Sequence, residues 1–461
     1  MGETVLLTFE TNDKLDLKPF SAKLEKFLMV EHDFVDGSLV ISLNAPFGAG
    51  KTTFLSMWKS DLDKRREGDL ATPKTITINA WESDYCGDPL LSIVNGLIKS
   101  VGKADPTKES EAAGRLREAA KDVGWFVTGL ANKFASDWMG LDPADAGKFA
   151  EEKKQERKPK IPDFISIYDE RTKALGKLKD ALKEVFGGDS PKAFVFVDEL
   201  DRCRPDYAIG YLETIKHVFD VHGLIFVLAV DYDQLECSAK ALFGTGLKFP
   251  DYFRKFVQRS VTLPEPNKSN LHALANHYVS RYLEREGKRH SFMRIDEYRV
   301  KNIVELITAL KMPPRQIQEA FRIIGHTLAA DLENRGRLYF CIGVGAILMS
   351  ALKVAGHEIY RRIGNCEATH REVGEILIQL VGKEEAYWWF SVYLTGSSRE
   401  ECRDDASLIK LLKDLGFVGA DSSLDRRRFG SHAEGWGHNW SGDRWQYIYR
   451  TIESANTFGN S

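Results

Sequence analysis

The chain has 461 residues and a formal net charge of −3 at pH 7, with 43% hydrophobic and 28% charged residues. This length predicts about two or three domains. The near-balanced charge excludes a global electrostatic attraction to nucleic acid or to an anionic membrane, although a local basic face can be hidden in such a sum. The six cysteines are scattered without a C-x-x-C pair, which excludes a disulfide framework.

The sequence carries no pattern of export or membrane insertion. Its first 20 residues contain acids and lack the apolar segment of a signal peptide. No uncharged run reaches the roughly 18–20 residues that a spanning helix needs. We therefore expect a cytoplasmic protein without a transmembrane segment.

Strands and helices alternate in the first part of the chain. Short aliphatic runs bounded by turn residues predict buried strands, and apolar residues at helical spacing predict helices. The predicted elements are a strand at 37–45, a helix from 51, a strand at 74–81, a helix at 89–102, an amphipathic helix at 174–188, a strand at 193–197, a helix from 205 and a strand ending at 231. Because near-continuous apolar strands alternate with helices, we predict an α/β fold whose parallel sheet is covered on both faces.

Two other parts of the chain have a different composition. Charged residues and alanine predict a helical insertion with a solvated linker at about 104–160. Its most apolar piece, 124–140, is interrupted by Lys133 and Asp137. We favour core packing for this piece, with a membrane surface or a partner groove as the alternative. Beyond Pro264 the strand signals fade and helical periodicity continues into a polar, aromatic tail.

The stretch "NAPFGAGKTTFL" follows the first predicted strand and opens the first predicted helix. Gly48 and Gly50 let the backbone approach a phosphate, Lys51 supplies positive charge, and Thr52 offers a hydroxyl to magnesium, as in a P-loop. Ala45 stands where this motif usually opens with glycine, and alanine can make that turn if its φ is negative. The residues expected to contact the nucleotide are Pro46, Phe47, Gly48, Ala49, Gly50, Lys51, Thr52 and Thr53.

An acidic pair follows the third predicted strand. The sequence "FVFVDE" places Asp198 and Glu199 at the end of an apolar run. An aspartate there can hold magnesium directly or through water, and an adjacent acid can activate the attacking water. A helix cap explains one such acid alone, but the pair and the P-loop together predict a nucleotide-hydrolysing site. Thiol or metal chemistry at His357, Cys366 and His370 has less support than helix surface and core.

Further segments follow one another in an order that is typical of one protein family. They are "INAWESD", "FVFVDELDRCRPDYAIGYLETIKHVF", "FVLAVDYDQL", "DYFRKFVQRSVTLPEP" and "MPPRQIQEAF". With the P-loop, they resemble the KAP family of P-loop NTPases, which belongs to the additional-strand catalytic-glutamate class of ATPases. The resemblance covers roughly residues 20–330. Many members of this family carry transmembrane helices between the two nucleotide motifs, whereas the corresponding insertion here is too charged to span a membrane.

The resemblance implies a domain order. A P-loop NTPase core, with a parallel sheet sandwiched by helices, is expected at 1–265 and contains the insertion. A helical lid is expected at 266–330. The resemblance does not reach 331–461, where helical periodicity alone predicts a mainly helical C-terminal domain with the aromatic tail.

The resemblance also implies roles for individual residues, with ATP and Mg²⁺ as the bound nucleotide and metal. The implied roles are Lys51 on the phosphates, Thr52 and Asp198 on magnesium, Glu199 as the base that activates water, Arg315 as a γ-phosphate sensor in the lid, Asn79 and Trp81 in structure or sensing, Asp201 and Arg202 as signature residues near the site, and Asp231 at the end of the sensor strand. ATP is favoured over GTP because "NKFA" at 132 and "NKSN" at 267 lack the aspartate of the guanine-reading N-K-x-D motif.

The role of several basic residues stays open at this level. Arg202 or Arg204 contacts a neighbouring subunit or a partner loop, or forms a helix-capping salt bridge. The residues Arg254, Lys255 and Arg259 include an arginine finger donated across an oligomer interface, or lie on a solvated helix face.

Two functions compete. The first is an ATPase that uses its nucleotide state to switch the assembly of a homo-oligomer or the activity of a separately encoded effector, in bacterial anti-phage defence. The second is a nucleic-acid motor or clamp, for which the C-terminal tail would supply phosphate contacts and base stacking. The residues of the tail that have suitable side chains are Arg426, Arg427, Arg428, Trp436, Trp440 and Trp445. We favour a folded cap whose tryptophans pack internally. A scaffold that does not hydrolyse nucleotide is disfavoured because Lys51 and Glu199 are both retained.

Overall fold

The computed structural model of the protein describes residues 6–85, 87–101, 111–128, 164–187, 193–289, 297–335, 339–398, 404–419, 426–437 and 442–454. The chain divides into two compact units, Met1–Glu265 and Pro266–Ser461. The further division of the second unit into a lid and a C-terminal domain stays a prediction.

The first unit is built on a parallel sheet, in the order β2-β3-β4-β1-β5. Its strands are β1 Leu39–Asn44, β2 Lys74–Asn79, β3 Ala193–Asp198, β4 Leu224–Val230 and β5 Arg259–Thr262. The sheet confirms the predicted α/β fold class. Because all these strands run in the same direction, their carboxyl ends meet at one edge of the sheet, where ligands of such folds bind.

Helices cover both faces of this sheet. They are α1 Phe9–Asn12, α2 Lys18–His32, α3 Lys51–Gly68, α4 Ala80–Asp84, α5 Pro89–Val101, α6 Glu111–Thr128, α7 Phe164–Phe186, α8 Pro205–Val218, α9 Tyr232–Phe243 and α10 Phe249–Phe253, with a 3₁₀ turn at Leu200–Arg202.

Strands β3 and β4 are buried along their whole length because they have layers on both sides. Alternate residues of β3 enter different cores, with Val195 in the core that contains α5–α8 and Phe196 in the core that contains α2 and α3. This two-sided burial explains why the strands are continuous apolar runs in the sequence.

The predicted insertion is partly visible. Helix α6 lies inside it and packs through Leu116, Ala120 and Val123 into the core that it shares with α7. Most of the apolar piece at 124–140 lies outside the described residues, so its proposed packing or partner groove stays a prediction.

The described residues of the second unit form helices and the turns that connect them, with no strand among them. Its helices are α11 Lys268–Arg289, α12 Glu297–Ala309, α13 Pro314–Arg335, α14 Phe340–Val354, α15 Ile359–Gly364, α16 His370–Val381, α17 Lys383–Gly396, α18 Asp405–Asp414, α19 Arg426–Gly435 and α20 Arg444–Ser454. Helix α14 is buried on nearly every side, and one apolar core extends from α11 to α20 around it.

The aromatic tail is part of this core. Trp436 and Trp445 are at most 1% exposed and contact each other edge to face, with ring centres 5.3 Å apart. Their ring N–H groups donate to the backbone carbonyls of Val392 and Tyr393. The idea that these two tryptophans stack on nucleic-acid bases is therefore wrong, and the favoured prediction of internal packing holds for them. Trp440 lies outside the described residues.

Among the described helices, none is both long and apolar enough to cross a membrane. The expected cytoplasmic location stays a prediction.

Candidate functional site

The predicted P-loop connects β1 to α3 at the carboxyl edge of the sheet. Gly48 has a φ of +83° and Gly50 a φ of +95°, which are left-handed conformations that only glycine adopts readily. Ala45 does not have a positive φ, so alanine fits the turn that usually contains glycine. Its N–H donates to the Val230 carbonyl of the neighbouring strand. The loop geometry is therefore that of a phosphate-binding turn leading into a helix N-terminus.

Lys51 is the first residue of α3 and its side chain is 9% exposed. The Nζ atom donates to the Ala45 carbonyl at 2.6 Å and lies 3.6 Å from Oδ2 of Asp201. The charge of this lysine is therefore held inside the loop, next to the turn that a phosphate would enter.

Asp201 and Asp231 connect the P-loop to the end of β4. The Asp231 N–H donates to Oδ2 of Asp201 at 3.0 Å, and the Phe47 N–H donates to Oδ2 of Asp231 at 3.0 Å. Beside them, the Tyr232 N–H donates to the Asn44 side chain at 2.9 Å. The loop conformation thus depends on polar groups at the ends of two neighbouring strands.

Asp198 is the last residue of β3 and lies beside the P-loop. Its carboxylate accepts a hydrogen bond from the Glu199 N–H at 2.9 Å. Burial raises the pKa of Asp198 above its ordinary value, the neighbouring Glu199 and Asp201 carboxylates raise it further, and the interactions with the Thr52 side chain and the Glu199 N–H oppose this rise. The two residues predicted to hold magnesium therefore lie close together.

Glu199 is oriented by two side chains. Its Oε2 accepts from Nδ2 of Asn79 at 3.0 Å, and its Oε1 lies 2.8 Å from Nη1 of Arg202. The backbone of Glu199 is left-handed, with a φ of +61°, an unusual conformation for a residue with a side chain. Asn79 also caps α4, because its Oδ1 accepts from the N–H groups of Trp81 and Glu82.

The donor set suits a divalent cation. The charged side chains of this contact network are the carboxylates of Asp198, Glu199, Asp201 and Asp231 and the cations Lys51 and Arg202. Four negative against two positive formal charges leave an excess of two negative charges. Among the described residues, no cluster of three or more His, Cys, Asp or Glu could hold a metal by itself. Magnesium that is shared with nucleotide phosphates needs only one or two protein ligands, so Thr52 and Asp198 fit this role.

Comparison with known proteins identifies the family. A model of the KAP family P-loop domain matches residues 17–330. The chain belongs to the KAP family. No curated protein sequence matches it significantly.

The solved structures that match this chain include two proteins of Aeropyrum pernix. The ORC2 protein in its ADP form has a TM-score of 0.33 and 10% identity, covering 96% of this chain and 95% of its own. The ORC1 protein in complex with DNA has a TM-score of 0.29 and 12% identity, covering 91% and 92%.

Three of the arginines considered above, Arg204, Arg254 and Arg259, have acidic partners within this KAP protein. The backbone N–H and the Nε atom of Arg204 donate to the Asp84 carboxylate, and its Nη2 atom donates to the Asp84 backbone carbonyl, at 2.8–3.1 Å. Arg254 lies 3.6 Å from Asp251, and Arg259 lies 3.0 Å from Glu31, in pairs that are largely exposed on the arginine side. These contacts are salt bridges on the surface of the first unit, while Lys255 lies over the Tyr252 ring. Whether any of them also acts across an oligomer interface stays a prediction.

Arg315 lies at the start of α13, in the second unit. Its predicted contact with the γ-phosphate stays a prediction. In the same unit, His370 is buried and pairs through Nε2 with the Ser397 hydroxyl, as expected for a core histidine.

Sequence reasoning missed two residues that organise the site. Asn44 fixes the start of α9, and Asp84 anchors the turn after β3 through Arg204. Both are polar residues at or just after the carboxyl end of a predicted strand, which is the signal that pointed to Asp198 and Asp231.

Proposed function

We propose that the chain binds ATP and hydrolyses it to ADP and phosphate. The observation that carries this proposal is the contact of the Lys51 ammonium with Asp201 at 3.6 Å, because it places the P-loop beside the segment that begins with the acidic pair at the end of β3. KAP family membership supports a nucleotide site, and the retained Lys51 and Glu199 support turnover.

In the proposed reaction, backbone N–H groups of residues 48–53 and the Lys51 ammonium bind the β- and γ-phosphates. Glu199 accepts a proton from a water molecule as the water oxygen bonds to the γ-phosphorus. The bond from that phosphorus to the bridging oxygen breaks, its electron pair stays with ADP, and the proton leaves with the products.

Thr52 and Asp198 would hold Mg²⁺ in this site. When bound, the ion would act as a Lewis acid that offsets the charge of the phosphate oxygens. The residues of the chain provide the rest: Asp201 keeps Lys51 in place, and Asp231 holds the loop through the Phe47 N–H.

We further propose that this hydrolysis switches a partner. In this hypothesis the chain forms a homo-oligomer, Arg315 senses the γ-phosphate, and an arginine such as Arg254 or Arg259 reaches a neighbouring site. The output would be control of a separately encoded effector in anti-phage defence. The sequence carries no nuclease or protease constellation, which supports a partnered regulator over a self-contained effector, and the identity of the genes beside this one tests that step.

The test of hydrolysis uses the full-length chain with two variants. Lys51→Ala should lose ATP binding, measured by calorimetric titration, because it removes the phosphate-binding charge. Glu199→Gln should keep ATP binding and lower the rate of phosphate release by about 100-fold or more. Glu213→Gln, at an exposed position of α8, is the matched control and should behave like the wild type. Wild-type turnover in Glu199→Gln would show that the base is assigned wrongly.

A further inference from the structure

The side chain of Arg202 connects three segments at the P-loop edge. Its Nη1 atom lies 2.8 Å from Oε1 of Glu199. Its guanidinium carbon lies 5.1 Å from the ring centre of Phe47 and 5.8 Å from that of Trp81. Phe47 belongs to the P-loop and Trp81 to α4, just after β2. One side chain therefore contacts the phosphate loop, the end of β2 and the acid that follows β3.

The two rings are not core residues. Phe47 is 52% exposed and Trp81 is 51% exposed, so burial does not explain their aromatic character. Both lie within the distance at which an aromatic ring attracts a cation. A guanidinium is planar and can stack on a ring while its edge donates to a carboxylate, which an ammonium cannot do in the same way. The arrangement thus suits arginine in particular.

Glu199 is held from two sides without being blocked. Arg202 contacts Oε1 and Asn79 donates to Oε2. A carboxylate offers about four acceptor positions, so each oxygen retains a lone pair for a water molecule. The backbone of Glu199 is left-handed, and such conformations of residues with side chains persist only where the surroundings determine them. The geometry is that of a side chain whose direction is fixed.

We propose that Arg202, held over the Phe47 and Trp81 rings, is a positioning residue that aims the Glu199 carboxylate at the attacking water. This inference rests on the proposed hydrolysis of ATP. Arg202 acts through Glu199, so its loss affects the chemical step and leaves nucleotide binding intact. Phe47 is part of the P-loop. The contact of Arg202 with the Phe47 ring therefore makes the orientation of the Glu199 carboxylate depend on the conformation of the loop that would hold the phosphates.

If the ion pair of Arg202 with Glu199 had only a structural role, the effect of removing Arg202 would be different. Exposed pairs at this spacing contribute little to stability, and their loss would change neither kcat nor KM. The chain offers a matched pair, Arg322 and Glu319 in α13, with the same residue types and the same i,i+3 spacing. Arg322→Ala is therefore the control for removing such a pair.

The experiment measures kcat and KM for ATP, and separately the Kd for a non-hydrolysable analogue. Arg202→Ala should lower kcat by roughly 10- to 100-fold, because misplacing a reacting group has effects of this size. KM and Kd should stay within about twofold of the wild type. Arg202→Lys should not restore kcat, since an ammonium lacks the planar contact with both rings.

The rings provide an independent pair of variants. Trp81→Ala should lower kcat in the same direction as Arg202→Ala, and Trp81→Phe should retain it. These variants decide the question if Arg202→Ala fails to fold, because the Trp81 ring is half exposed.

The outcomes separate the two proposals. An active wild type with unchanged kcat in Arg202→Ala and Trp81→Ala overturns the positioning role alone. A loss of analogue binding in Arg202→Ala also overturns it, and assigns the arginine to the phosphates instead. A wild type that hydrolyses no ATP while binding the analogue overturns the proposed hydrolysis, and the positioning role with it.

Discussion

At the scale of single residues, burial and neighbouring charges set the reactivity of side chains in the site. Cys203 shows this effect, because it lies between Arg202 and Arg204 and its Sγ atom donates to the Glu199 carbonyl at 3.6 Å. Burial raises the pKa of the Cys203 thiol to about 12, and the carboxylates of Asp84, Asp201 and Glu199 add to the rise. A thiol with this pKa has very little reactive thiolate near neutral pH.

We predict that alkylation with N-ethylmaleimide at about pH 8 leaves Cys203 unmodified in the folded protein. Cys237 is exposed and should react under the same conditions. Peptide mass spectrometry measures both, and both should react after denaturation. Equal modification of the two thiols in the folded protein would contradict the buried environment of Cys203. If the prediction holds, inhibition by thiol reagents cannot be assigned to this residue beside the site.

At the scale of secondary-structure elements, helix α16 has a complete N-terminal cap. The Thr369 hydroxyl accepts from the Glu372 N–H, and the Glu372 carboxylate accepts from the Thr369 N–H at 2.8 Å. Arg362 of α15 donates to both carboxylate oxygens at 2.8 Å. These contacts, led by that with Arg362, lower the pKa of Glu372 from 4.5 to about 2.

The lowered pKa predicts a pH dependence of stability. Its contribution is fully present above the unfolded value of 4.5 and is lost as the pH falls through the folded value of about 2. Glu372→Gln should therefore lower the urea midpoint at neutral pH, and this difference should shrink by about pH 3.5. Glu375→Gln, on the exposed side of the same helix, should change the midpoint little. A deficit of Glu372→Gln that is equal at both pH values would exclude the charge of Glu372 as its cause.

The elements also show what a sequence can predict. The apolar runs of β3 and β4 and the glycines at 48 and 50 follow from local rules, so the α/β class and the P-loop were predictable. The pairing of Asn79 with Glu199 depends on the register of β2 against β3, in which Asn79 lies opposite Asp198. Likewise, the contact of Asp201 with Lys51 depends on the spatial order of the strands. Neither register nor strand order can be read from spacing along one chain.

The aromatic tail is a segment for which the sequence did not decide between two structures. Polar and aromatic residue types are shared by nucleic-acid surfaces and by helices that close a core. Trp445 became a core residue because α20 lies against α14 and α17, where its ring meets Trp436 and Tyr393. Composition alone could not distinguish these outcomes, since the difference lies in which helices are neighbours.

At the scale of the whole molecule, two units with separate cores share one chain. The residues proposed to bind and hydrolyse the nucleotide, those of the P-loop and the acidic pair, all lie in the first unit, Met1–Glu265. A ligand that binds only the folded state stabilises the unit that contains its site, by about 2.7 kcal/mol at a concentration of 100 times the Kd. The second unit gains this energy only if it unfolds together with the first.

We predict two calorimetric transitions, of which a non-hydrolysable ATP analogue with magnesium raises only one. Trp445→Ala assigns them, because removing a buried tryptophan costs about 3–5 kcal/mol and should lower the transition of the second unit. Lys51→Ala is the control for the ligand and should abolish the shift. If the chain instead unfolds in a single transition that the analogue raises, the units unfold cooperatively, and nucleotide binding in the first unit is coupled energetically to the helical second unit. That coupling would give Arg315 a physical route to respond to the nucleotide, whereas independent transitions would require the proposed contact to form only during turnover.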